Sequence, residues 1–144
     1  MEKVLRKELP DLLLFLGDGL SEICAIQKQF PDLKILSVQG NCDWMTSERE
    51  MLIVPVERKK IFMTHGHRLA VKTDRNLETL KDAAWDSGAN IILFGHTHIP
   101  YTTYSDTMDI MNPGTIGAVP DPTFGEILAD MWNVKTQIRH VTKC

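Results

Sequence analysis

The chain has 144 residues, 43% apolar and 24% charged, with a net charge of −3. That is one domain with apolar material for a single core. No apolar run approaches the roughly 18 residues of a membrane-spanning helix, no basic stripe marks a nucleic-acid surface, and the N-terminal MEKVLRKELP lacks the apolar core of a signal peptide.

In chain order, Val4, Leu5 and Leu9 among charges predict a short amphipathic helix over residues 2–9. The run Leu12–Leu16, ended by Gly17, reads as a strand buried on both faces. SEICAIQKQF carries Ile23, Ile26, Gln27 and Phe30 at helical spacing, and LKILSVQGN is a second strand ended by glycine. MLIVPVERKKIFMTHGH predicts two strands joined by the charged turn ERKK. DRNLETLKDAAWDSG predicts a helix with Asp74 as its cap, Leu77, Leu80, Ala84 and Trp85 on its inner face, and Gly88 after its end. NIILFG is another buried strand. Two hairpins follow, with turns near Asp106 and Asn133. The pattern is an α/β domain with an antiparallel finish.

Three scattered cysteines, Cys24, Cys42 and Cys144, suit reduced thiols in a cytoplasmic protein better than a disulfide framework. Trp44, Trp85 and Trp132 are expected to pack, and the isolated His140 to be structural or at the surface. Nothing in the sequence fixes an oligomeric state; a homo-oligomer stays open.

The polar motifs fall at strand ends. LLLFL ends in Gly17-Asp18, KILSV leads to Gly40-Asn41-Cys42-Asp43, KIFMT ends in His65-Gly66-His67, and NIILF ends in Gly95-His96-Thr97-His98. Four of the 5 histidines therefore lie in two His-x-His pairs. In open α/β sheets the carboxyl edge of the strands is where ligands bind. Imidazole suits transition ions and carboxylate or amide oxygens suit harder ones, so the mixed set matches a hydrolytic metal centre. If the backbone stays extended after the last of these strands, His96 and His98 share one face. Each residue alone has a plainer reading: Asp18 as a helix N-cap, Asn41 as a turn residue, His65 and His67 as polar strand-end residues, His96 and His98 as a surface turn. Their joint placement at four strand ends favours the metal reading. A thiolate phosphatase is excluded, because Cys42 and Arg49 stand in Cys-x6-Arg with no glycine-rich loop between them.

Taken together, LGDG, GNCD, THGH, GHTH and NPGTIG resemble the calcineurin-like metallophosphoesterases, in particular the small YfcE-type phosphodiesterases. The resemblance runs from Gly17 to Gly117. It implies two mixed β-sheets packed as a sandwich flanked by helices. It implies two divalent ions, manganese, nickel, zinc or iron, with Asp18 bridging them. Asn41, His65 and His96 complete one ion's ligands, His98 belongs to the other, and Asn41 also meets substrate. The implied reaction is hydrolysis of a small-molecule phosphodiester by a metal-activated water. Where the family has a histidine after the asparagine, this chain has Cys42, so the proton donor stays unassigned, with Cys42, Asp43 and His67 near the site. The family's opening strand with Asp-x-His has no counterpart here. The expectations from that difference are an upstream strand outside this sequence, tight binding of one ion only, and impaired catalysis. A non-catalytic metal-binding or protein-interaction scaffold of the same fold is the alternative.

Overall fold

The segments ending in glycine and a polar residue all fold as strands, in a computed structural model that describes residues 1–44 and 46–141. The charged N-terminus forms helix α1 (Glu2–Glu8), followed by strand β1 (Leu12–Phe15), helix α2 (Leu20–Gln29) and strand β2 (Lys34–Ser37). In α2 the spacing of Ile23 and Ile26 gives one buried stripe. Gln27 is exposed rather than part of that stripe, and its amide donates to the carbonyls of Phe30 and Leu33, closing the helix end. The next segment is a hairpin, β3 (Met51–Val56) and β4 (Lys59–Thr64), turning at Glu57 and Arg58 as the charged tetrapeptide predicts. Then come α3 (Glu78–Asp86), β5 (Ile91–Phe94), β6 (Tyr101–Thr103), β7 (Asp109–Asn112), β8 (Thr123–Ala129) and β9 (Val134–His140).

The central sheet has the order β3-β4-β5-β7-β6. Its inner strands β4, β5 and β7 run parallel, and the outer strands β3 and β6 are antiparallel to their neighbours. Strand β5 is buried at all four positions, as its unbroken apolar run requires. One face of the sheet packs on α3 through Phe62, Ile92, Phe94 and Ile110 against Leu77, Leu80 and Ala84. The other face, with Ile61, Met63, Ile91, Leu93 and Met111, meets Leu12, Leu14 and Leu36 and also Ile127, Val134 and Ile138. Burying each such side chain stabilises by roughly 1.5–3 kcal/mol, so the faces together dominate the fold. No helix among the described residues is long and apolar enough to cross a membrane.

The sandwich therefore stands, but its second layer is two separate ribbons. One is the parallel pair β1-β2 and the other the antiparallel pair β8-β9. This corrects the expectation for Leu12–Leu16. Among the described residues strand β1 bonds β2 on one edge only, and its residues are half-buried rather than enclosed on both faces. Helix α3 begins four residues after Asp74, yet Asp74 still caps it: its carboxylate accepts from the Thr79 N–H at 2.9 Å and the Thr79 hydroxyl at 3.1 Å. Trp85 is 67% exposed, contrary to its expected inner position. Leu80 and Ala84 already fill the buried stripe, and the next residue sits about 100° around the helix. Trp44 and Trp132 are also exposed, the latter lying against the Arg58 guanidinium at 5.6 Å. His140 is at the surface, paired with Asp121 at 2.9 Å. Cys24 and Cys42 are free thiols; Cys144 lies outside the described residues.

Candidate metal centre

Both parallel strand pairs, β1-β2 and β4-β5, end on the same side of the molecule, and their carboxyl ends touch. Gly17 permits the contact. Its φ is +92°, and an added Cβ would stand 2.6 Å from the Gly40 nitrogen within its own pair and 3.0 Å from His65 Nδ1 after β4, so only glycine fits. The two layers are tied by His65, which is 2% exposed. Its Nδ1 lies 2.6 Å from the Leu16 carbonyl. A carbonyl only accepts, so Nδ1 carries the proton and the Nε2 lone pair faces the strand ends.

Around that lone pair gather the other donor atoms. His65 Nε2 is 3.2 Å from Asp18 Oδ2, 3.1 Å from Asn41 Oδ1 and 3.2 Å from His96 Nδ1. Asp18, His65 and His96 each present a ligand atom within 4.8 Å of the others. Ligands bound at about 2.0–2.2 Å to one ion lie about 3–3.5 Å apart in tetrahedral or octahedral geometry. The observed separations fit that spacing, and the mixture of two imidazoles, a carboxylate and an amide oxygen suits a transition ion.

Electrostatics favour the same use. Burial holds the His65 imidazole below its ordinary pKa, outweighing the Leu16 carbonyl and Asp18, which pull it up. Burial, then the nearby Lys72 ammonium, does the same for His96. Both rings are thus neutral, the form in which imidazole binds metal. The Cys42 thiol is pushed up, chiefly by the Asp18 carboxylate, and is no ready thiolate.

Two residues build the loops that carry the ligands. Asp43, which the sequence offered as a candidate near the site, is a clamp in the structure. Its carboxylate accepts from the backbone N–H groups of Asp18 (2.7 Å), Gly19 (2.8 Å), Leu20 (3.0 Å) and Gly40 (2.9 Å). Burial alone would raise its pKa, but these donors outweigh it and hold the carboxyl below its usual range. With both oxygens occupied, Asp43 is not a free proton donor. Asn112, fully buried, does the equivalent for the other loop. Its amide donates to the Gly95 carbonyl at 2.9 Å and the Thr97 hydroxyl at 2.8 Å, and its oxygen accepts from the Gly114 N–H at 2.9 Å. In the sequence Asn112 was visible only as the first residue of the NPGTIG motif.

The loop after β5 is not extended. His96 and His98 both have positive φ, 64° and 59°, and the Thr97 N–H donates back to the Gly95 carbonyl at 2.7 Å. The side chains therefore do not line up on one face. His96 enters the cluster, while His98 is exposed outside it. His67 lies beside the cluster, its ring 5.4 Å from that of His65 and 6.2 Å from that of His96. Its buried Nδ1 has no hydrogen-bond partner among the described residues. Asn41 and Cys42 are exposed at the mouth, with the Cys42 N–H donating to Asp18 Oδ1 at 2.7 Å.

The calcineurin-like phosphoesterase superfamily domain matches residues 1–131. The chain belongs to this superfamily. Among curated relatives it is 31% identical over 107 residues to the probable metallophosphoesterase YsnB of Bacillus subtilis, a match covering 74% of this chain and 59% of that protein. It is 28% identical over 93 residues to the phosphodiesterase YfcE of Escherichia coli K12, covering 58% of this chain and 45% of that one. The chain thus spans about half the length of these superfamily relatives. A solved structure from Streptococcus pneumoniae, described as a predicted phosphoesterase, superposes with a TM-score of 0.77 at 24% identity, covering 96% of this chain and 80% of that one, and supports the calcineurin-like fold.

Proposed function

We propose that this chain is a metal-dependent phosphoesterase that hydrolyses phosphodiesters, with Asp18, Asn41, His65 and His96 holding its ion. The observation that carries the reading is the convergence of three ligand atoms within 3.2 Å of a single buried imidazole nitrogen whose proton is fixed on the far side of the ring. A divalent ion bound there supplies an acidified water and polarises the phosphoryl oxygens. The chain's own residues supply the rest. Leu16 fixes the His65 tautomer, Asp43 holds the Asp18 backbone, the Cys42 N–H orients the Asp18 carboxylate, and Asn112 shapes the His96 loop. Lys72 brings positive charge to the mouth for an anionic substrate. Asn41 meets the substrate as well as the ion, and the His67 ring beside the cluster is assigned to the phosphoryl group. His98, on the outer lip, is the histidine left for a second ion, which four-ligand retention at the first site makes the weaker one. Manganese, zinc, nickel and iron all suit this donor set.

The test is hydrolysis of bis-p-nitrophenyl phosphate with added manganese, with chelator, and by His96→Ala, beside calorimetric titration of manganese. Turnover that needs both metal and His96 supports the proposal. Metal binding through His96 without turnover points to the metal-binding scaffold instead, and absence of metal binding in a folded sample refutes both.

A further inference from the structure

Beside the ligand cluster lies a cleft of about 200 Å³, of whose lining residues the metal-centre reading uses Lys72 alone. Its floor is apolar and buried: Val71, Leu77 and Phe94, at 7%, 7% and 2% exposure. Its outer wall is Ile99 and Tyr101, which are exposed at 66% and 43% although they sit over an apolar floor. The rings of Phe94 and Tyr101 are 6.3 Å apart and tilted by 60°, within the range of an interacting aromatic pair.

The cleft opens on the cluster through two residues. Thr97 lines it and is the link between His96 and His98, held by Asn112. Lys72 also lines it and brings a cation to the cleft. Arg75 adds a second cation at the rim. The acidic lining residue, Asp74, keeps its charge while accepting from Thr79 and Asn76 at the start of α3, so two cations and one carboxylate leave the lining one positive charge. An apolar slot with a cationic mouth facing a phosphate site complements a molecule with a compact apolar end and an anionic end. The volume is below that of drug-sized sites, about 300–1,000 Å³, so one ring fits and an extended chain does not.

We propose that this cleft binds the organic substituent of the phosphoester substrate, a single aromatic or heteroaromatic ring seated against Tyr101, Ile99 and Phe94, with Lys72 facing the phosphate. The inference rests on the metal-centre reading and specifies which phosphoesters the site prefers. Tyr101 and Ile99 are then specificity-determining residues that contribute to binding and leave the chemistry alone.

Equilibrium binding separates this from catalysis. Phenylphosphonate and methylphosphonate, which are not hydrolysed, are titrated into the zinc-loaded chain by calorimetry. Phenylphosphonate is expected to bind about tenfold tighter, the gain from burying most of one ring. Tyr101→Ala and Ile99→Ala should each remove most of that preference while leaving methylphosphonate affinity unchanged. Tyr101→Thr, which keeps a strand-forming residue in β6, repeats the test if the alanine variant unfolds. Lys72→Ala should weaken both ligands by a similar factor. Zinc-dependent methylphosphonate binding with no phenyl preference overturns the cleft proposal and spares the metal centre, as does a preference untouched by Tyr101 and Ile99. Loss of all phosphonate binding in a zinc-loaded sample overturns the cleft proposal and the phosphoesterase reading together and leaves the metal-binding scaffold.

Discussion

The Asp43→Asn substitution changes one atom and tests whether the ligand loop is held from outside. In the native protein each carboxylate oxygen accepts two backbone donors, Gly19 and Leu20 on Oδ1, Asp18 and Gly40 on Oδ2. An asparagine keeps one acceptor oxygen, and either rotamer turns an NH₂ group toward two N–H donors. Two amides lose their partner, at about 1–3 kcal/mol each where they are shielded from water. The site is half-buried, so the expected loss is about 2–4 kcal/mol, a large share of the roughly 5–15 kcal/mol available to a domain. Urea denaturation of the metal-free protein measures it directly. Because the folded-state pKa of Asp43 is depressed, the wild-type advantage is full above the unfolded-state pKa, about 3.9. It is lost as pH falls through the lower folded-state value. Metal affinity should fall as well, since Asp18 sits on the released loop. A stability loss under about 0.5 kcal/mol at pH 7, the scatter of ordinary surface substitutions, would show that the loop holds its shape without Asp43.

Gly40→Ala places a methyl group onto the Asp18 carboxylate oxygen and backbone nitrogen; zinc affinity by calorimetry should drop at least tenfold in a chain that still melts cooperatively, and unchanged affinity refutes the packing argument. Asn112→Ala leaves the Gly95 carbonyl, the Thr97 hydroxyl and the Gly114 N–H without this partner; the expected cost is about 2–4 kcal/mol in urea denaturation. Zinc affinity should stay level from pH 8 to about 6.5 and weaken only below, because depressed imidazole pKa values keep His65 and His96 neutral through that range. Weakening that begins above pH 7 contradicts the assignment.

The elements were legible because their signals are local. Continuous apolar runs, the charged hairpin turn and the glycine after α3 each determine structure within a few residues, and each appears where the pattern places it. The gathering of Asp18, Asn41, His65 and His96 was legible for a topological reason: parallel strands put their carboxyl ends on one side. What could not be read was long-range partnering. Asp43 closes on donors more than twenty residues away, and Asn112 supports a loop from the neighbouring strand, connections with no periodic trace. The conformation at His98 was misjudged for a related reason. The Thr97 N–H turns back to Gly95, and both flanking histidines go to positive φ. The split of the second layer, and the half-burial of β1, depend on which edges find partners, which no single run encodes.

Backbone strain at the ligands explains why two polar clamps are needed. Asp18 and His96, with φ of 62° and 64°, occupy the left-handed region, at a cost of about 1–2 kcal/mol for a residue with a Cβ. Each sits in the loop held by its own clamp, Asp43 for Asp18 and Asn112 for His96, and the clamps share no hydrogen-bond partner among the described residues. Combining Asp43→Asn with Asn112→Ala should therefore give additive stability losses in chelator, within about 0.5 kcal/mol. With zinc the two loops hold one ion, and a misplaced ligand on either side already forfeits most of its binding. The second substitution then has less zinc stabilisation to remove, and the combined loss should fall below the sum. A non-additivity of equal size without metal would mean that the loops are coupled through the protein itself, by way of His65, and that the centre is rigid before any ion arrives.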